Sequence, residues 1–317
     1  FSSLDMRRNI RANTEITATF SYRDRPKEYT GIVTGTGFKY SWSEKLQVKH
    51  NFDVLDISYV NYPKITGEYQ NYINSNPAFA YNFQPHLIMR TGYNGSYSGF
   101  NAAQPLRNYT TMNYGIETAG NILQGLNSVL NAQRDSTGAF KVFGIRYAQY
   151  VKTDFQIAHY QIFDANNRLV YHAGLGIAVP YGNAERMPFE KRFFSGGANS
   201  VRGWTAYQLG PGTYRSPGNY VDYNTQMGDI KLDLNMEYRT KLFWKLDGAF
   251  FLDAGNIWTI RNYEAQPGGV FRFDKFLGQL GIAYGTGIRA DFSFFVLRVD
   301  LGVRLFNPAL ERTEQWR

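Results

Sequence analysis

DIKLDLNMEYR, residues 229–239, alternates without a break. Ile230, Leu232, Leu234, Met236 and Tyr238 fall on one side, and Asp229, Lys231, Asp233, Asn235, Glu237 and Arg239 on the other. Successive side chains of an extended chain point to opposite faces, so the segment reads as a strand with one apolar and one ionised face. A helical period of about 3.6 would scatter the same apolar residues around the whole circumference.

The same two-residue period recurs along the chain, at 14–23, where Ile16, Ala18, Phe20 and Tyr22 share a face, and at 168–179, where Leu169, Tyr171, Ala173, Leu175, Ile177 and Val179 do. About twelve such segments are legible, near 14–23, 30–42, 46–60, 86–99, 109–122, 140–150, 152–163, 168–180, 228–240, 245–258, 277–290 and 292–306. Several exceed ten residues, longer than the usual globular strand of ~5–6 and suited to the ~9–11 of a tilted membrane strand. No helical crossover separates them, so the sheet is expected to be antiparallel and meandering. Two connections, 66–80 (TGEYQNYINSNPAFA) and 122–134 (ILQGLNSVLNAQR), carry weak helical patterning and read as ordinary turns.

The 317 residues carry 34 Lys+Arg against 26 Asp+Glu, 17% aromatic side chains, a mean hydropathy of −0.41 and no cysteine. The missing thiols exclude disulfides, zinc–thiolate sites and thiol catalysis. The basic surplus lies on no single helix, so nucleic acid is not an expected partner. No apolar run approaches the ~18 residues of a membrane helix, but membrane strands alternate and hide from averaged scales. A soluble sandwich and a transmembrane barrel both alternate. Rings gathered at strand ends (Tyr40 and Trp42, Tyr59 and Tyr62, Tyr93 and Tyr97, Trp258), with charge and glycine on the opposite face, favour the barrel.

The longest connection, 181–227, contains FEKRFFSGGANSVRGW at 189–204. Phe193, Phe194 and Trp204 favour a packed loop over one spread in water. Gly196 and Gly197 permit a tight turn or a close approach to a wall. Arg202 then needs an acidic partner.

VRGW at 201–204, MEYR at 236–239 and FFLDAGNIW at 250–258 stand in the order of three motifs of the BamA/TamA-type outer-membrane assembly barrels, the bacterial surface antigen family, and the chain resembles that family over roughly 140–307. YGN at 181–183, the phrase PFEKRFFSGGANSVRGW and DFSFFVLRVDLG at 291–302 are most similar to its lipoprotein-type TamL branch. The resemblance implies a transmembrane barrel over 1–317 whose loop at 181–227 folds inward, with Arg202, Gly203 and Trp204 docked on Glu237 and Asp253, and with Phe193, Phe194, Gly196 and Gly197 packing the loop. It also implies a sixteen-strand antiparallel barrel of which this chain holds about twelve strands. The first strands, the last strand and the POTRA domains are expected to be absent from this chain, and FSSLDMRRNI shows no signal-peptide pattern. The implied function is outer-membrane protein assembly, insertion or translocation through a lateral seam. A gated pore or secretion channel with the loop as plug is the alternative. Implied partners are outer-membrane lipids, nascent barrel or surface proteins, and envelope accessory proteins.

Enzymatic chemistry finds no support. His50, His86, His159 and His172 lie on separate strands, Ser195 stands in no nucleophile elbow, and SGGANSVRG lacks the Lys-Ser/Thr of a phosphate loop. Asp229, Asp233 and Glu237 share a face with Lys231 and Arg239, which reads as a self-neutralised wall rather than a calcium site. No cofactor or metal is expected.

Overall fold

A computed structural model describes residues 10–44, 47–75, 80, 83–127, 129, 132–216, 225–292 and 294–316. The strands are β1 (Ile10–Arg25), β2 (Tyr29–Glu44), β3 (Val48–Ile65), β4 (His86–Ser98), β5 (Tyr109–Ala119), β6 (Gln133–Arg134), β7 (Phe140–Val142), β8 (Ile145–Tyr147), β9 (Tyr150–Ile162), β10 (Asn167–Pro180), β11 (Ile230–Phe243), β12 (Leu246–Trp258), β13 (Gly281–Asp291) and β14 (Val296–Phe306). Their order in the sheet is β1-β2-β3-β4-β5-β9-β10-β11-β12-β13-β14, with β6, β7 and β8 off this path.

Two of the expectations for chain elements change. The segment 140–150 is not a long strand: Phe143 and Gly144 take positive φ, the chain folds back as the β7–β8 hairpin, and β8 runs parallel to β4. The connections read as turns hold helices α1 (Gly67–Ser75) and α2 (Asn121–Gly125). Both form because tertiary contacts supply what weak amphipathicity lacks. Ile73 of α1 is buried with Tyr29 and Phe83, and Leu123 of α2 with Val142 and Tyr147. Residues 76–79, 128 and 130–131 of those connections, 81–82, 217–224 of the long loop, and the stretch before Ile10 lie outside the described residues.

Contacts group the chain into two compact units. The first holds residues 1–96, 114–153 and 178–191. Its β1–β2 ladder is in register from Ile10↔Glu44 to Arg25↔Tyr29. Among its polar groups, Arg90 meets Asp53 at 2.8 Å, Glu117 at 3.1 Å and Asp56 at 3.2 Å, and Lys191 reaches Glu117 at 3.0 Å. Glu190 faces Tyr62 and His86; burial alone would raise its pKa, and the His86 contact outweighs it and holds the carboxyl below its usual range.

The second unit holds residues 97–113, 154–177 and 192–317. Within it β10 to β14 form a regular antiparallel meander, with Glu237 opposite Val170 and Phe251. The β9–β10, β11–β12 and β13–β14 turns lie at one end, and the β10–β11 and β12–β13 connections leave from the other. Burial is inverted relative to a water-soluble sheet. Phe250 is 59% exposed and Leu301 72%, while Asp229 and Asp253 are 0% exposed. Such an arrangement is favourable only where the outer face meets hydrocarbon. Trp258 departs from the expected ring at the membrane edge: it is fully buried, donates Nε1–H to Gln279 at 2.8 Å, and lies edge-on to Phe271.

Candidate functional site: a loop clamped to the charged face

The loop reaches the charged face of β11–β14 through a tight hairpin. Gly196 and Gly197 both have φ near +90° (89° and 90°), a region where an L side chain is strained. A Cβ on Gly196 would also run into the carbonyl of Thr205. The hairpin closes by Gly197 N–H to Trp204 O at 2.7 Å and Tyr207 N–H to Ser195 O at 3.0 Å. Its tip presents Val201, Arg202, Gly203 and Trp204 to the wall.

Arg202 is the centre of the contact. Its Nε donates to Asp253 Oδ2 at 2.7 Å, its Nη2 to Asp253 Oδ1 at 2.8 Å, and its backbone N–H to Asp253 Oδ2 at 3.1 Å. Nη1 donates to Glu237 Oε2 and lies 3.6 Å from Asp300 Oδ2. The guanidinium carbon stands 3.5 Å from the centroid of the Phe251 ring. A planar fork with five donors fits this set; an ammonium does not. Burial alone would lower the pKa of Arg202; its bonds to Asp253 and Glu237 outweigh that and hold it above the ordinary range.

The expected residues are placed as follows. Arg202, Glu237 and Asp253 meet directly. Gly203 lies where a Cβ would come within 2.7 Å of the Ala283 methyl, so only glycine lets the tip sit this close. Trp204 is buried with Val201, Leu209 and Ala283. Phe193 forms a bridge with Gly228, and its ring covers Gly176, where a Cβ would come within 2.5 Å of Cζ. Phe194 is 36% exposed, stacks on Tyr207 of the loop at 4.2 Å, and carries the Lys231 ammonium of the wall 5.6 Å from its ring centroid. Asp229, Asp233 and Glu237 each face a cation, namely Arg192 at 3.3 Å, Lys231 at 2.9 Å and Arg239 at 2.6 Å, which fits the neutralised wall. Among the described residues no group of three His, Cys, Asp or Glu could hold a metal ion. The histidines have separate neighbours; His159 meets Thr110 and His172 meets Asn235.

Sequence reading missed half of the site. Arg289 donates Nη2 to both Glu237 oxygens at 3.1 Å and Nη1 to Asp300. Asn235 donates to Asp253 Oδ1 at 2.9 Å and to Ser200 O at 2.8 Å, and Ser200 donates to Asp233 at 2.7 Å. From β14, Arg304 donates to Gly203 O at 2.9 Å and lies 5.3 Å from the Trp204 ring centroid, and Arg298 donates to Ala198 O and, at 3.0 Å, to Asn199 Oδ1. The parity of Arg298, Asp300, Gly302 and Arg304 was available as a signal: they alternate with Leu297, Val299, Leu301 and Val303. Their partners were not.

Trp204→Ala should loosen the tip alone. It opens a void among Val201, Leu209 and Ala283, worth about 3–5 kcal/mol for a buried large-to-small change. Hydrogen exchange is expected to accelerate over 195–209 and stay unchanged in β11–β13; equal acceleration in the strands would contradict a purely local role.

The chain is similar in sequence to one curated protein and in fold to solved structures. Over 99 residues the chain is 32% identical to the outer membrane protein assembly factor BamA of Neisseria meningitidis serogroup B, a match covering 28% of this chain and 12% of that protein. The crystal structure of BamA from Haemophilus ducreyi lacking POTRA domains 1–3 superposes with a TM-score of 0.62 at 12% identity, over 93% of this chain and 56% of that one. CdiB from Escherichia coli superposes with a TM-score of 0.51 at 10% identity, over 93% of this chain and 46% of that one. The chain thus spans about half the length of these two solved structures. An antiparallel sheet with apolar side chains outward and an ion network inward is, with these neighbours, an integral β-barrel of the bacterial outer membrane. Residues 10–317 match the Omp85 superfamily domain, and the chain belongs to that superfamily.

Proposed function

We propose that this chain is the membrane barrel of an outer-membrane protein assembly, insertion or translocation factor, that it acts through a lateral seam between strands, and that the 181–229 loop is held in the lumen by the Arg202 clamp. The observation that carries the reading is the reach of the clamp. One guanidinium gathers carboxylates from β11, β12 and β14, and Arg289 of β13 bridges two of them. Two side chains that together tie four neighbouring strands from inside are suited to holding a wall in one shape while a strand edge elsewhere exchanges partners. Exposed strand edges pair readily with added strands, which is how such a barrel would template a nascent one. The phrase at 188–204 further supports the lipoprotein-type TamL branch. Clients in this reading are nascent outer-membrane β-barrel or surface proteins, and envelope accessory proteins would assist.

The test uses the protein in proteoliposomes. Two readouts are compared between the natural protein and Arg202→Ala: protease-protected insertion of a urea-denatured barrel client, and ion conductance in planar bilayers. The assembly reading expects insertion by the natural protein, sharply reduced in the variant. A natural protein that inserts no client, and a variant whose only change is a large rise in conductance, would establish the loop as the plug of a pore instead.

A further inference from the structure

We propose that the charged face binds a small oxyanion, of the phosphate or sulfate class, in a cavity beneath the loop tip, between Arg239 and Arg298. The cavity has a volume of about 230 Å³ and is lined by His172, Asn199, Arg202, Glu237, Arg239 and Arg298, among others; the Glu237 carboxylate is already engaged by Arg202, Arg239 and Arg289. At ~30 Å³ per water it holds several waters or one hydrated oxyanion.

Three observations point to an anion. The first is register. Arg168 lies directly opposite Arg239, and Arg289 directly opposite Arg298. Like charges directly across a ladder are destabilising, and one member of each pair, Arg239 and Arg298, lines the cavity. The second is the count. Arg202, Arg239, Arg289 and Arg298 face Glu237, Asp253 and Asp300, which leaves a surplus of one positive charge in this network of four cations and three acids. The third is unused donors. Arg239 uses only Nε, toward Glu237, and Arg298 uses Nε and Nη2. Both Nη groups of Arg239 and Nη1 of Arg298 have no protein partner among the described residues, and both side chains line the cavity. Planar guanidinium forks suit tetrahedral oxyanions, and each charge-assisted contact is among the stronger hydrogen bonds. Arg298 also holds Ala198 and Asn199 of the loop, so an anion here would link loop and wall. The inference holds whether the protein assembles or conducts.

The experiment is phosphorus NMR of inorganic phosphate titrated with the detergent-solubilised protein at constant ionic strength in chloride. The expected result is a line broadening that saturates, is reversed by sulfate, and is weakened about tenfold in Arg239→Gln or Arg298→Gln. Glycerol phosphate competing better than inorganic phosphate would mark a lipid headgroup as the source; weaker competition would mark the free ion. Lys231→Gln, which alters a cation outside the cavity, should bind phosphate normally. Absence of broadening by the natural protein overturns the proposal, and so does broadening that both Gln variants retain. Folding of each variant is checked by its heat-modifiable band on gels, and one folded variant of the two suffices.

Discussion

Replacing Arg202 with alanine is expected to free the loop tip from the wall while β11–β14 keep their ladders. The substitution leaves an asymmetric residue of charge. Glu237 retains Arg239 and Arg289, but Asp253, which is 0% exposed, keeps only Asn235 as a side-chain donor among the described residues. Breaking a buried pair from one side costs on the order of 3–5 kcal/mol, because the remaining charge is stranded. The sheet can relieve that cost by letting the tip go and admitting water. A chain without cysteine offers a clean reporter: Val201, 0% exposed, can be changed to cysteine and its maleimide labelling timed. Labelling should accelerate by more than about a hundredfold in the Arg202→Ala background. Arg202→Lys should not restore protection, because an ammonium cannot span two carboxylates and lie flat on Phe251. An unchanged labelling rate, or full rescue by lysine, would refute the clamp. Trypsin cleavage at Arg215 is a poor substitute, since that residue is already exposed.

Gly302→Val should expel the loop by a different route, with every ionised group left in place. Gly302 lies on the inner face of β14 between Asp300 and Arg304. A Cβ there would overlap the Arg202 carbonyl and come within 3.1 Å of the Gly203 amide nitrogen. The obstacle is backbone, so no rotamer change relieves it, and overpacking of this kind costs about 1–3 kcal/mol or more. Valine itself favours a strand, so the β13–β14 ladder should hold or strengthen. Hydrogen exchange is therefore expected to rise over 195–209 and to fall or stay level in 296–306. Loss of protection in both segments would mean that β14 depends on the loop for its own stability. Together the two variants separate charge pairing from steric fit.

The strands were legible because their period is local. DIKLDLNMEYR shows its two faces without reference to any other residue, and the strand expected near 228–240 is β11, Ile230–Phe243. The failures have an equally physical origin. The stretch 140–150 alternates weakly, and the positive φ of Phe143 and Gly144 turns it back on itself. Helices α1 and α2 are too short to form on propensity, so their existence depends on Ile73 and Leu123 finding pockets that the local pattern does not describe. Trp258 looked like a membrane-edge ring because position along a strand was the only cue; the loop that covers it comes later in the chain.

By itself the sequence determined the faces: which side chains of each strand meet hydrocarbon, which are ionised, and that a glycine-flanked arginine lies in the longest connection. Parity is a property of the covalent chain and needs no partner. Only the tertiary structure decided who meets whom. Asp300, Arg289, Arg298 and Arg304 share the parity of the inner face, yet nothing local distinguishes an arginine that grips the loop from one that faces water. That choice depends on strand register and on how closely Gly203 and Gly302 let two backbones approach, and both are set by packing over distances of fifty to a hundred residues along the chain.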